Sequence, residues 1–134
     1  MRDQAKSIIP TSHLDLLAST ALANVATIGP DGAPQVNPVW FDWDGTNLRF
    51  GQITTRQKVR NLRRDPRLAV AIVDPTNPTR YLEIRGVAHL VPDPEAELTH
   101  RLAKKYLGLD RFPYLQPGEE RVQVVVEPRR VTYQ

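Results

Sequence analysis

Short runs of apolar and β-branched residues recur along the chain, separated by clusters of turn-forming polar residues, glycines and prolines. Near the start, Ser12-His13-Leu14-Asp15 reads as a capping box, with Leu14, Leu16 and Leu17 opening a short helix. Residues 20–29 are rich in Ala, Val, Ile and Thr and run into Gly29-Pro30-Asp31-Gly32. There the proline fixes one φ and the last glycine tolerates a positive one, so the chain turns and residues 34–42 return as a hairpin. Asp44-Gly45-Thr46-Asn47 makes the next turn, and Leu48–Ile53 forms the third strand. Thr54 or Thr55 caps a helix that runs to about Arg64, where Asp65-Pro66 ends it, because a residue before proline is driven out of the helical region. Residues 68–73 are continuously apolar, as a buried strand requires. A proline-punctuated loop leads into a long strand at 80–91, and Asp93-Pro94 then supplies an N-cap and a proline at the first helical position. Leu98, Leu102, Ala103, Tyr106 and Leu107 recur at helical spacing. After an irregular stretch at 108–118, closing strands are expected at 121–127 and 129–133. The pattern is mainly β with short helices, and a small antiparallel barrel is the natural way to close so many hairpin-connected strands.

Composition narrows the chemistry. The chain has 134 residues, 40% hydrophobic and 25% charged, which suits a single globular domain over 1–134. It has no cysteine, so disulfides, thiolate metal sites and thiol nucleophiles are excluded. No apolar run approaches bilayer length, and Met1-Arg2-Asp3-Gln4-Ala5-Lys6 lacks the apolar core of a signal peptide behind it; a cytoplasmic protein with no membrane partner is expected. His13, His89 and His100 lie far apart, with no metal-ligand spacing and no nucleophile–base set, so surface or structural roles are expected and no metal site or catalytic residue is assigned. Trp40 is expected in barrel or interface core rather than as a platform for substrate.

Charge singles out one segment. The formal net charge is only +3, yet Arg56, Lys58, Arg60, Arg63, Arg64 and Arg67 crowd together with Asp65 as their one acid. A strand delivers the chain to the start of this helix, where unpaired N–H groups and the helix dipole attract an anion and the hydroxyls of Thr54 and Thr55 can donate to phosphate oxygens. At about 100° per residue, Lys58 and Asn61 fall near the side of Leu62, while Arg60, Arg63 and Arg64 cluster opposite. A lysine beside a packed face needs an anionic partner, and a phosphate supplies one. The same residues would also serve as the solvated face of a capped surface helix. A nucleic-acid contact is the weaker reading, because no aromatic stacking platform follows the patch.

The order Asp31-Gly32-x-Pro34, Asn37-x-Val39-Trp40-Phe41, Phe50, Arg56-x-Lys58 and Asp65-Pro66-Arg67 resembles the pyridoxamine 5′-phosphate oxidase-like superfamily. The run Arg56-Gln57-Lys58-Val59-Arg60-Asn61-Leu62-Arg63-Arg64-Asp65-Pro66-Arg67 is most similar to its deazaflavin (coenzyme F420)-dependent reductases. The likeness covers roughly residues 14 to 91, and the remainder by topology. It implies a homodimeric split β-barrel with two cofactor sites at the subunit interface, a small-molecule substrate and hydride transfer from reduced F420. By position, the ring would lie along the strand carrying Gln35, Asn37 and Val39, bordered by Gly51, Gln52, Ile53, Thr54 and Thr55. Arg56, Lys58 and Asn61 would bind the phosphate, and Thr79 and Arg80 would come from the partner. The resemblance also implies alternatives: FMN as cofactor, or a non-catalytic cofactor carrier or sensor. The longer C-terminal arm of true pyridoxamine phosphate oxidases, with its substrate-phosphate arginine and histidine, is missing, so that oxidase activity is not expected.

Overall fold

The structure, a computed structural model, describes residues 8–134, so the expectation drawn from Met1–Lys6 lies outside the described residues. Seven strands form one antiparallel sheet: β1 (Ala23–Ile28), β2 (Pro34–Val39), β3 (Asp42–Trp43), β4 (Leu48–Ile53), β5 (Arg67–Val73), β6 (Tyr81–Pro92) and β7 (Arg121–Tyr133). Their order across the sheet is β2-β1-β5-β6-β7-β4-β3. Among the described residues three α-helices accompany them, α1 (Leu14–Ala18), α2 (Gln57–Arg64) and α3 (Glu97–Leu107). Although β2 and β4 lie near opposite ends of that order, Val39 and Gly51 line one cleft, so the sheet curls on itself into a split barrel. Alternation buries one face of β1, β5 and β6, and Phe41, Leu48, Phe50, Val70, Ile72, Leu82, Ile84 and Val124 fill the interior with no accessible surface.

The first hairpin forms as its turn residues dictate. Gly32 donates to the Gly29 carbonyl at 2.9 Å and sits at φ 85°, where a side chain would be strained. Helix α2 stops at Arg64 before Asp65-Pro66, as expected, and buries Lys58, Val59, Asn61 and Leu62.

Several local expectations need correction. The expected return strand at 34–42 is two pieces, β2 and β3, separated by Trp40 and Phe41. Ser12 caps no helix; its hydroxyl lies 2.8 Å from His13 Nδ1, and residues Thr11–His13 make a 3-10 turn ahead of α1. His13 Nε2 donates to the Gln134 carbonyl at 3.0 Å, tying the start of the described chain to its end. Neither Thr54 nor Thr55 caps α2, whose N-cap position is Arg56, because a turn closed by Arg56 N–H to the Ile53 carbonyl (3.1 Å) comes before the helix. Asp93 does cap α3, but from farther away: its carboxylate accepts the N–H groups of Glu97 (3.0 Å) and Leu98 (3.1 Å) across a turn that holds Pro94. The two closing strands are one strand, β7. Pro128 is accommodated because the register shifts between Arg85 and Gly86, leaving Arg129 as the extra residue of a bulge. Gly86 is required there, since a Cβ would lie 2.2 Å from the Glu127 carbonyl oxygen.

Candidate functional site

The site follows the inward face of β2, the end of β4 and the start of α2. On β2 the residues Gln35, Asn37 and Val39 are half-buried while their neighbours point outward, because Gln35 pairs with Thr27, which is buried in the interior. A chain of side-chain bonds fixes this face. Asn61 Nδ2 donates to Thr27 Oγ1 (3.0 Å) and to Gln35 Oε1 (3.1 Å), and Gln35 Nε2 donates to Asn37 Oδ1 (2.9 Å). Asn61 Oδ1 in turn accepts from Gln57 Nε2 at 2.8 Å. Asn61 has no accessible surface, so it holds Gln35 and Gln57 in place from behind the groove.

The start of α2 is electrostatically unfinished. Lys58 is only 6% exposed, and among the described residues its ammonium has neither an ion pair nor a hydrogen bond. Burial, and then the Arg56 guanidinium, push its proton affinity below the ordinary lysine value. The backbone N–H groups of Gln57 and Lys58 also find no acceptor. Arg56 and Thr55 are exposed beside them. Thr54 is differently placed from the expectation: its hydroxyl donates to Glu120 Oε1 and its N–H to the Glu120 carbonyl, both at 2.9 Å. Ile53, Thr54, Thr55 and Arg56 therefore border an open cleft of about 470 Å³ whose other bank carries Glu119 and Glu120. On the far face of α2, Arg60 and Arg63 are exposed; Arg64, also exposed, reaches back to the Ile28 carbonyl.

A second cleft, of about 410 Å³, opens at the other end of the groove. Val39, Gly51 and Gln52 meet there, joined by Leu22, Pro38, Trp40, Thr99, Leu102, Phe112 and Arg121. Trp40 is a wall of this cleft and not barrel core: it is half-exposed, stacks on Tyr106 at 5.2 Å between ring centres, and meets Phe112 edge-on at 6.1 Å. The core position falls to Phe41 instead. Gly51 keeps the cleft open, since a Cβ would lie 2.9 Å from Thr99 Oγ1. Arg121 donates to Thr99 Oγ1 (3.3 Å) and Glu119 Oε1 (3.2 Å), while its buried Nε has no partner. Sequence reasoning missed Thr99, Phe112 and Arg121, which come from α3, an aperiodic loop and the first residue of β7. The one available signal was the pair of aromatics, Phe112 and Tyr114, in an irregular, proline-containing stretch.

Thr79 and Arg80 lie away from both clefts. Arg80 pairs with Asp15 (2.7 Å) and Asp74 (2.9 Å), and Thr79 bonds Asn77 at 2.8 Å. Among the described residues there is no cluster of metal-ligating groups and no helix long and apolar enough to cross a membrane.

A curled antiparallel half-barrel, with a groove running between one strand edge and a helix start, defines the split β-barrel class of the sequence-based expectation. The model of the pyridoxamine 5′-phosphate oxidase family matches residues 9–134, and the chain belongs to that family. Among solved structures it is similar to an F420 reductase, with 40% identity over 92% of this chain and 98% of that one and a TM-score of 0.83. A conserved hypothetical protein from Mycobacterium tuberculosis, Rv2991, is 29% identical over 99% of this chain and 89% of its own, with a TM-score of 0.73. HupZ of Group A Streptococcus, at 20% identity, 94% coverage of both chains and a TM-score of 0.68, shares the fold.

Proposed function

We propose that this protein is an oxidoreductase that binds coenzyme F420 in the groove between β2 and α2 and passes a hydride to a small unsaturated acceptor. The observation that carries the reading is Lys58, a lysine only 6% exposed whose ammonium has no counter-ion beside Arg56. Such a group is costly unless an anion completes it. Arg56, Lys58, the Thr55 hydroxyl and the free N–H groups of α2 would hold the phosphate. Gln35, Asn37, Val39, Gly51 and Gln52 would flank the ring, with Ile53 and Thr54 between the two ends. The cofactor supplies the hydride chemistry, and the protein supplies position and electrostatics. The likeness to an F420 reductase supports the choice of deazaflavin.

FMN is the second reading, and one observation favours it. Glu119 and Glu120 face Thr55 and Arg56 across the mouth of the phosphate cleft. They oppose the exit of a polyanionic tail on that side, which FMN, ending at its phosphate, does not need. An F420 tail must instead cross the Arg60 and Arg63 face of α2. A homodimer completes the proposal, because Val36 is 62% exposed and Pro34 and Pro38 beside it on β2 are exposed too. Fluorescence titration of purified protein against F420 and FMN side by side tests the cofactor. Tighter F420 binding is expected, and stoichiometric FMN retained through purification with no F420 binding would overturn it. Sedimentation of the same sample is expected to give a dimer; a monomer that still binds cofactor contradicts the interface site.

A further inference from the structure

The aromatic wall of the second cleft is held by a histidine outside the cofactor groove. The Phe112 N–H donates to His100 Nδ1 at 2.9 Å. A ring nitrogen that accepts carries no proton, so His100 is the neutral tautomer with its hydrogen on Nε2. That Nε2 is enclosed and has no partner. Phe112 then presents its edge to Trp40, lies 5.6 Å from the Arg121 guanidinium carbon, and meets Tyr114 at 5.5 Å. Besides this bond, the 108–118 loop is tied to α3 near its beginning, by the N–H groups of Gly108 and Leu109 and by an exposed Lys104–Asp110 ion pair at 3.3 Å.

We propose that His100 is a positioning residue: its neutral ring latches the Phe112 backbone to α3 and so sets the aromatic wall of the cleft, and its protonation releases that wall. A protonated imidazole presents N–H at both nitrogens, so Nδ1 would face the Phe112 N–H donor to donor. The groups around the ring favour the latched form. Burial lowers its proton affinity most, followed by Arg111 from the loop; Arg121 from β7 acts the same way, and Asp93 from the turn before α3 acts oppositely. The Asp93 carboxylate is already shared between two helix N–H groups, and Arg121 is paired with Glu119. The sign follows from linkage. The latched state binds fewer protons than the released one, so the latch is complete above the ordinary histidine pKa of about 6.5. It is lost as the pH falls through the lowered folded value. This inference stands apart from the identity of the cofactor, because its readouts are made on the protein alone.

The test is amide hydrogen exchange of Phe112, corrected for intrinsic rate, in wild type, His100→Asn and His100→Leu. Asparagine keeps an acceptor close to the position of Nδ1 but does not titrate. At neutral pH, Phe112 protection should be about tenfold higher in wild type than in His100→Leu, the loss expected for one partly buried hydrogen bond. Below about pH 6.5 wild-type protection should decline toward the leucine level, while His100→Asn stays protected. Acrylamide quenching of Trp40, with Trp43→Phe removing the second indole, should rise in parallel. Equal Phe112 protection in wild type and His100→Leu would overturn the latch. So would a decline in His100→Asn matching that of wild type, a comparison that still decides if the leucine variant does not fold.

Discussion

The start of α2 and the cleft beyond Trp40 are the two ends of one groove, and they are built by opposite means. At α2 the charges are left unbalanced. Lys58 is 6% exposed beside Arg56 with no acid partner, and the N–H groups of Gln57 and Lys58 have no acceptor among the described residues. At the cleft the charges are cancelled. Arg121, the cation that lines it, is paired with Glu119 at 3.2 Å. Shape is set there by Trp40, Phe112 and the bare backbone of Gly51. In the proposed function, the first end would hold the anion and the second would flank the ring.

The sharpest way to break this contrast is Lys58→Met, which removes the charge and keeps most of the bulk. A charge-assisted contact to phosphate in a partly desolvated place is worth roughly 1.5–3 kcal/mol, so cofactor affinity should fall about ten- to a hundredfold. Stability should move the other way. Because the free protein buries Lys58 unpaired, its melting temperature should rise by a few degrees, about the effect of 1 kcal/mol. Titration and thermal melting of the same variant check both. Unchanged affinity would remove the anion end from the site, and a fall in melting temperature would mean that Lys58 is satisfied by the fold itself.

Asn61→Ala acts in the opposite sense and should be smaller in binding. It leaves Thr27, which is buried, and Gln35 and Gln57, which are half-buried, without their shared partner. Unpaired groups in such a place cost about 1–3 kcal/mol of stability, and affinity should drop only several-fold as Gln35 loses its orientation. Denaturant unfolding and titration separate the two. A hundredfold loss of affinity without loss of stability would make Asn61 a direct ligand.

Much of this architecture was legible because it rests on local pattern. Apolar and β-branched runs between turn residues placed β1, β4 and β5 to within a few residues, and the helical phase of α2 put Lys58 and Asn61 inward and Arg60 and Arg63 outward. Local caps were harder to read. Thr54 is a good cap by type, yet Glu120, distant in sequence, captures both its hydroxyl and its N–H. Pro128 looked like a strand break because a bulge that absorbs it depends on Gly86 across the sheet. The cleft was illegible for the same reason: Thr99, Phe112 and Arg121 share no period and meet only when α3 and β7 fold against β4. Trp40 illustrates the limit. Composition says that an indole is buried somewhere, and only the Tyr106 stack and the opening beside Gly51 say that it faces the groove.

The smallest expected effect tests whether the comparison ends at Lys58 or extends along α2. Arg63 is exposed on the face opposite Lys58 and has no hydrogen bond or ion pair among the described residues. A solvated guanidinium there can act on a bound phosphate only at long range, where salt screens it within about 8–10 Å. Arg63→Ala should therefore weaken binding of FMN by less than about twofold, within the range of exposed charge pairs. For F420 the loss should be somewhat larger, should grow with the number of glutamates in the tail, and should fade as salt is raised. Titrations of both cofactors at low and high ionic strength measure it. A loss equal to that of Lys58→Met, and insensitive to salt, would place the phosphate on the outer face of α2 and reverse the inside and outside of the site.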